Sequence, residues 1–295
     1  MSGLRLRVRG SSVGAVATVV ALLGLGVVAP APVGAAANPF PHTVRGGFPT
    51  PTGAGFSLVF ADGAVDNFGD APAVGDASAL PLQRPLWGGS GVAGGGGYWL
   101  VAGDGGIFSY GSARFFGSMG GIRLNQPVFS MASTRSGRGY WLVALDGGVF
   151  SFGDAKFFGS TGGIHLQRPV VGIVRHRSGN GYTMVASDGG IFDFGDAGFF
   201  GSLPGIGVHV SNVAGFAPTP SGRGYWIVRR SGEVYSFGNA LTFRSYTPLA
   251  CDPVVAIIAN PAAQGYRLVT RSGRTIARGA GLDGEASTGA PVQCP

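Results

Sequence analysis

The sequence predicts an all-β protein built from six copies of one unit, each copy containing four short antiparallel strands. Three observations lead to this prediction: one phrase recurs about every 42 residues, glycines stand at fixed places within it, and short apolar runs separate the glycines. Each copy is marked by an aromatic residue that directly follows a glycine: Phe56, Tyr98, Tyr140, Tyr182, Tyr225 and Tyr266.

Residues 1–37 have a different character from the repeats. Arg5, Arg7 and Arg9 precede an apolar run from Val13 to Val28, and small residues then lead to Ala37. This is the pattern of a cleaved secretory signal peptide, and the run is shorter than the roughly 20 apolar residues of a membrane span. We therefore expect a signal peptide over 1–37, export, and a repeat domain over 38–295; a retained anchor is the alternative.

The composition agrees with a packed exported domain. The chain has 295 residues with 56 Gly and 19 Pro, but 45% of its residues are hydrophobic, which is too many for a disordered chain. Removing the three leader arginines leaves 18 basic and 14 acidic residues, a net charge of +4 instead of +7. Because export and this modest charge argue against nucleic acid, we expect a protein or glycan partner.

The third copy shows how one unit divides into strands. We expect strands in "PVFSMAS" from Pro127, "GYWLVAL" from Gly139, "GVFSFG" from Gly148 and "KFFGS" from Lys156. The links between them are short enough for hairpins, so the unit should be a four-stranded meander. Asp-Gly between the second and third strands predicts a two-residue turn, and glycine recurs there in every copy: Gly63, Gly105, Gly147, Gly189, Gly232 and Gly273.

Another position, ten residues before each marking aromatic, is always small. It falls within the first strand of the unit, and we expect the six first strands to converge on a common axis, where space is limited. A six-bladed β-propeller has this arrangement; the alternative is a pair of β-trefoils that divide the chain near residue 165. The small residues are Gly46, Gly88, Ser130, Gly172, Gly215 and Ala256.

The phrases "GYWLVAGDGGIFSYGSARFFGSMGGI", "GYWLVALDGGVFSFGDAKFFGSTGGI" and "GYTMVASDGGIFDFGDAGFFGS" resemble the tandem repeats of secreted proteins from high-GC Gram-positive bacteria. The resemblance covers roughly residues 40 to 280, and the first and last copies are degenerate. More distantly, the unit is similar to NHL-type and chromosome-condensation-regulator propeller blades. The resemblance implies an exported propeller-like domain, and it brings no catalytic residues with it.

Polar residues of the repeat suggest one candidate site. If the first strands are innermost, the turns after the second strands and the links between units open at the same end of the ring. Side chains there could bind a cation, a sugar or a peptide, although aspartate at such a turn commonly bonds to its own backbone. The candidate ligand-binding rim consists of Asp62, Asp104, Asp146, Asp188, Arg123, His165 and Arg168.

Other residue types predict structure more than chemistry. Trp99, Trp141 and Trp226 follow the marking tyrosine, and we expect them, with the recurrent Phe-Phe pairs, to form the core between units. Cys251 and Cys294 are predicted to form one disulfide, as an even pair in an exported chain favours.

The sequence contains no metal-ligand spacing, phosphate loop or nucleophile motif, so we expect no cofactor, metal or catalytic residue. The first functional hypothesis is a monomeric, non-catalytic, exported binding module for a protein or glycan at the cell envelope or outside the cell. The alternative is a propeller hydrolase or lactonase that uses a rim carboxylate, with Ca²⁺ as an optional ion. A structural spacer is a third hypothesis.

Overall fold

The computed structural model describes residues 38–279 and 284–286, so the predicted signal peptide lies outside the described residues. The all-β prediction is confirmed: the chain forms six antiparallel sheets, one for each repeat, numbered here in chain order. The first strands of the sheets are β1 (Val44–Pro49), β4 (Leu86–Gly91), β7 (Val128–Ser133), β10 (Val170–Arg175), β13 (Val213–Pro218) and β16 (Val254–Ala259).

The other strands follow as a meander in every sheet. The second strands are β2 (Phe56–Phe60), β5 (Gly97–Ala102), β8 (Gly139–Ala144), β11 (Gly181–Ala186), β14 (Gly224–Arg229) and β17 (Tyr266–Thr270). The third strands are β3 (Val65–Phe68), β6 (Ile107–Gly111), β9 (Val149–Gly153), β12 (Ile191–Gly195), β15 (Val234–Gly238) and β18 (Thr275–Arg278). Sheet 6 also has β19 (Gly284–Ala286), and a short 3₁₀ helix spans Pro204–Ile206.

The turn between the second and third strands is longer than predicted. In sheet 3, Ala144 N donates to Gly148 O at 2.9 Å, and Gly147 N donates to Ala144 O at 2.8 Å. The loop therefore contains three residues: a turn through Leu145 and Asp146, followed by Gly147 at a φ of +78°. The prediction of a two-residue turn was wrong because Leu145 and Asp146 are the two central residues of the turn, and Gly147 follows them as a third loop residue that forms a bulge.

Within the described residues, sheets 1 to 5 contain three strands each and lack the predicted fourth strand. The segment from Lys156 to Ser160 has no strand pairing. Gly159 has a φ of +138°, a conformation that cannot continue a ladder. Side chains hold this segment instead: the Trp141 indole N–H donates to Lys156 O at 2.7 Å, and the Tyr182 hydroxyl of the next sheet donates to Gly159 O.

A cycle of backbone hydrogen bonds joins the six sheets. The residue that follows each second strand accepts a bond from the first residue of the next sheet; for example, Val170 N donates to Leu145 O at 2.9 Å. The last bond returns to the start, because Val44 N donates to Arg271 O at 3.0 Å. The first strands also contact one another in the same cyclic order, with β16 against β1. The division near residue 165 that a pair of trefoils requires is therefore not found.

Aromatic side chains fill the space between sheets, as predicted for tryptophan. Trp99, Trp141 and Trp226 are buried, and the ring of Trp141 lies 5.5 Å from that of Tyr182 in the next sheet. The prediction for the Phe-Phe pairs was only half right. The second phenylalanine of each pair is half-buried, but the first stands at the outer surface with about 60% of its area exposed: Phe115, Phe157 and Phe199.

The structure bears only in part on the predicted disulfide and on the membrane-anchor alternative. Cys251 is exposed in the link that enters sheet 6, but Cys294 lies outside the described residues, so their disulfide stays a prediction. Within 38–279 and 284–286, no helix is long and apolar enough to span a membrane.

Candidate functional site

A cavity lies where the six first strands meet, and we call it the axial cavity. Its volume is about 730 Å³, and residues of all six first strands line it. The predicted convergence of these strands is confirmed, but the reason given for the small residues is incomplete. A side chain at Gly88 would meet no atom within 4 Å, so this glycine borders open space. At Gly46 and Gly172 an added side chain would meet atoms at 3.2 Å, as the predicted crowding requires. All six small residues of this position line the cavity: Gly46, Gly88, Ser130, Gly172, Gly215 and Ala256.

A β-bulge in each first strand shapes one end of the axial cavity. The register of every first strand shifts immediately before its small residue, which leaves one bulged residue at that point. In three consecutive sheets the bulged residue is large, namely Arg45, Trp87 and Phe129. The Arg45 guanidinium lies 4.6 Å from the centre of the Trp87 ring, and the Phe129 ring lies 4.6 Å from it. These three side chains form a stack along one side of the cavity end.

Arg45 makes no ion pair within the described residues, and the Trp87 ring is its one charge-stabilising contact in this stack. Burial lowers the pKa of its guanidinium, and Arg271 and Arg230 lower it further by repulsion. Its Nε is buried and has no hydrogen-bond partner among the described residues. A guanidinium in this position is stabilised by an approaching negative charge, because unpaired buried charges are costly.

The opposite end of the cavity is also basic. Arg175 is the last residue of β10, the first strand of sheet 4. Burial lowers the pKa of its guanidinium, and repulsion from Arg135 lowers it further. Arg135 reaches across to the next hairpin and donates to Arg177 O at 2.9 Å, and Arg177 donates onward to Pro220 O. Arg135, Arg175, His176 and Arg177 all line this end.

No aspartate or glutamate of the described chain lines the axial cavity. Acidic residues do occur at the same end as Arg175, but turn hydroxyls engage them. Asp154 accepts from Thr134 at 2.9 Å and from Ser136 at 2.5 Å, and hydrogen bonds from Thr52 and Thr50 lower the pKa of Asp70. The basic side chains that line the cavity are four arginines and one histidine.

A side recess widens the cavity where the repeat loses its tryptophan. Sheet 4 has Thr183 at the position of Trp141, and the cavity extends past Thr183 to Gly198 and Tyr225. The Thr183 hydroxyl donates to Asp193 instead of filling the space. Sheet 1 behaves in the same way, since a separate cavity of about 230 Å³ touches Ser57. Loss of the indole therefore opens a recess beside each of these sheets.

Asp193 is the polar residue that most clearly breaks the repeat. It stands where the second, third and fifth copies have serine. Burial raises the pKa of its carboxyl, partly offset by the bond from Thr183 and by attraction to His176. Its Oδ2 is buried with no hydrogen-bond partner among the described residues.

The structure places the predicted rim residues away from the axial cavity. Asp104, Asp146 and Asp188 are half-buried, and the Oδ1 of each accepts from the backbone N–H two residues later, at 2.9, 3.0 and 2.9 Å. Asp62 accepts similarly from Ala64 N, and its Oδ2 lies 2.8 Å from His42 Nδ1.

The three basic members of the rim are exposed in the links between sheets: Arg123, His165 and Arg168. No group of three His, Cys, Asp or Glu side chains able to hold a metal ion occurs in the described part of the chain. The aspartates of the rim thus stabilise their own turns.

Sequence reasoning missed Arg45, Trp87 and Arg175. The first two occupy the position immediately before the small-residue column, where the other copies have Phe129, Val171, Ala214 and Val255. This variation between copies was visible in the sequence, but the bulge that turns these side chains toward the axis was not.

Comparison with known proteins adds the class of fold. No protein-family profile and no curated protein matches the chain. Among solved structures it is similar to the β-propeller domain of Cps50 (Swd1) from Myceliophteria thermophila, with a TM-score of 0.53 and 9% sequence identity. The match covers 77% of this chain and 79% of that chain. The fold is that of a β-propeller, and at this level of identity the likeness applies to the fold alone.

Proposed function

We propose that the protein is an exported, non-catalytic, six-bladed β-propeller that binds a protein or glycan at the cell envelope or outside the cell. Each of the six sheets is one blade. The observation that supports this function best is the axial cavity of about 730 Å³, which is large enough for a ligand and is bordered by small residues in every blade. The resemblance to secreted tandem-repeat proteins and the leader-like segment 1–37 support export.

The hydrogen bonds of the repeated aspartates support a non-catalytic role. Their hydrogen bonds are made within the fold: the aspartates of the second turn bond to their own backbone, and Asp154 bonds to turn hydroxyls. A catalytic carboxylate must instead reach a substrate.

The cavity can be narrowed by one substitution. Gly88→Leu places a side chain in open space within the cavity, because no atom lies within 4 Å of its Cβ position. Gly163→Leu is the matched control, since Gly163 is exposed in a link between blades and its Cβ position is equally free.

The test is sedimentation of the purified full chain with purified Gram-positive cell walls, with and without protease treatment of the walls. We expect the unsubstituted chain and Gly163→Leu to bind equally, and Gly88→Leu to bind about tenfold more weakly or not at all. Protease treatment separates a protein ligand from a glycan. Absence of wall binding by the unsubstituted chain, or equal binding by Gly88→Leu, would contradict the proposal.

One observation favours the hydrolase alternative. Asp193 breaks the repeat and accepts a hydrogen bond from Thr183, which lines the side recess, and burial raises the pKa of its carboxyl, as in many general acids. A hydrolase of this kind would cleave lactones or esters, and Asp193→Asn would abolish turnover of a lactone and ester panel while leaving wall binding intact. Equal turnover by the unsubstituted chain and Asp193→Asn would exclude this role.

A further inference from the structure

We propose that the axial cavity binds an anionic ligand, a slender chain that bears phosphate or carboxylate groups, with Arg45 and Arg175 contacting it at the two ends. The inference deepens the proposed binding function, since it names the class of ligand for the same cavity. It goes beyond that function because a neutral protein segment or neutral glycan would also fit a cavity defined by size alone.

The distribution of charge is the first argument. Four arginines and one histidine line the cavity, and no acidic residue of the described chain does so. The chain as a whole has 14 acidic residues against 21 basic ones, so a lining of one sign is not expected from composition. A concave surface of one sign concentrates ligands of the opposite sign.

The second argument is that neither of the two arginines at the cavity ends has a carboxylate partner. Neither the Arg45 nor the Arg175 guanidinium makes an ion pair within residues 38–279 and 284–286. Arg45 also has a buried Nε without a hydrogen-bond partner. Guanidinium groups present a planar set of donors that matches phosphate and carboxylate oxygens, so an anion would satisfy donors that the fold leaves free.

The spacing of the arginines favours a chain over a single small anion. Arg45 lies at the bulge of its first strand, and Arg175 lies at the far end of another first strand, equivalent to Pro49 of blade 1. Four residues separate these positions along a strand, or about 13 Å. Arg45 and Arg175 also belong to blades 1 and 4, which stand opposite each other in the cyclic order of the first strands, so an extended oligomer with several anionic groups can contact both ends. The small residues between the ends leave room for such a chain.

Three probes and four variants test the inference by calorimetry with the purified full chain. The probes are short-chain polyphosphate, oligogalacturonate and a neutral chito-oligosaccharide. The variants are Arg45→Gln, Arg175→Gln, the double variant, and Arg123→Gln as the matched control, because Arg123 is exposed and lies outside the cavity lining. Circular dichroism and thermal unfolding check that each variant is folded.

We expect at least one anionic probe to bind and the neutral probe to bind far more weakly. Each cavity variant should weaken anion binding about tenfold or more, and Arg123→Gln should leave it unchanged. Raising the salt to about 0.3 M should also weaken binding. The preferred probe identifies phosphate or carboxylate as the group that is recognised.

Equal binding of the neutral probe, no binding of either anion, or unchanged binding by both Arg45→Gln and Arg175→Gln would overturn the inference. If Arg45→Gln unfolds, anion binding by Arg175→Gln and by the cavity-narrowing Gly88→Leu tests the inference. If Gly88→Leu abolishes wall binding while the arginine variants leave it intact, only the anionic character of the ligand is refuted. Anion binding in the cavity without wall binding refutes only the proposed function.

Discussion

Replacing Trp141 by alanine should destabilise the protein by about 3–5 kcal/mol, because it empties a fully packed site between two blades. The indole has only 1% of its area exposed and lies 5.5 Å from the Tyr182 ring and 6.4 Å from the Phe158 ring. Its N–H also donates to Lys156 O at 2.7 Å, which is the bond that holds the fourth segment of the blade. In a domain of this size, about 4 kcal/mol corresponds to a fall in Tm of roughly 8–16 °C.

Trp87→Ala is the matched control for this prediction. Trp87 is also a tryptophan on a strand, but it is half-buried beside the axial cavity, so its loss should cost about 1–2 kcal/mol, from the contacts with Arg45 and Phe129. Trp141→Phe keeps a ring in the site and should fall between the two. Urea unfolding followed by circular dichroism measures all three. Equal losses for Trp141→Ala and Trp87→Ala would show that the blade interface does not contribute the stability assigned to it.

Three further predictions use other parts of the chain. Asp193→Ser, which copies the residue of three other repeats, should raise the free energy of unfolding at pH 7. Burial lifts the folded-state pKa of this carboxyl above its unfolded value, so ionisation favours unfolding. The gain should vanish below about pH 4, and an equal gain at both pH values would refute this cause. Protein recovered from the medium of an expressing Gram-positive host should begin at Asn38 by N-terminal sequencing, and an intact Met1 would refute cleavage. Peptide maps without reductant should link Cys251 to Cys294, whereas two free thiols in the exported protein would remove the disulfide.

Much of the fold could be predicted from the repeat. The aromatic and glycine positions located every second strand, and the apolar pattern correctly buried the three tryptophans that follow the marking tyrosine. The fourth strand could not be predicted correctly from "KFFGS", because its apolar residues look like a strand. The decisive factor is the backbone of Gly159, at a φ of +138°, together with bonds from Trp141 and Tyr182 that replace a ladder.

The candidate site was less predictable than the fold. The side chain of an aspartate in a turn can contact a ligand or accept a hydrogen bond from its own backbone, and the sequence pattern is the same in both cases. In the structure Asp146 bonds to Gly148 N. Arg45 and Arg175 were overlooked because they occupy different positions in the repeat and come from sequence segments 130 residues apart.

The sequence by itself determined the number of sheets, the order of their first three strands and the tryptophans packed between them, because these depend on local periodicity and on side chains that repeat in several copies. Only the tertiary structure decided which residues share the axial cavity. Closure of the ring from Arg271 back to Val44 brings six first strands together, and a bulge in each places one side chain at the same end. Charges that are far apart in sequence thereby line one space, and no local pattern records their proximity.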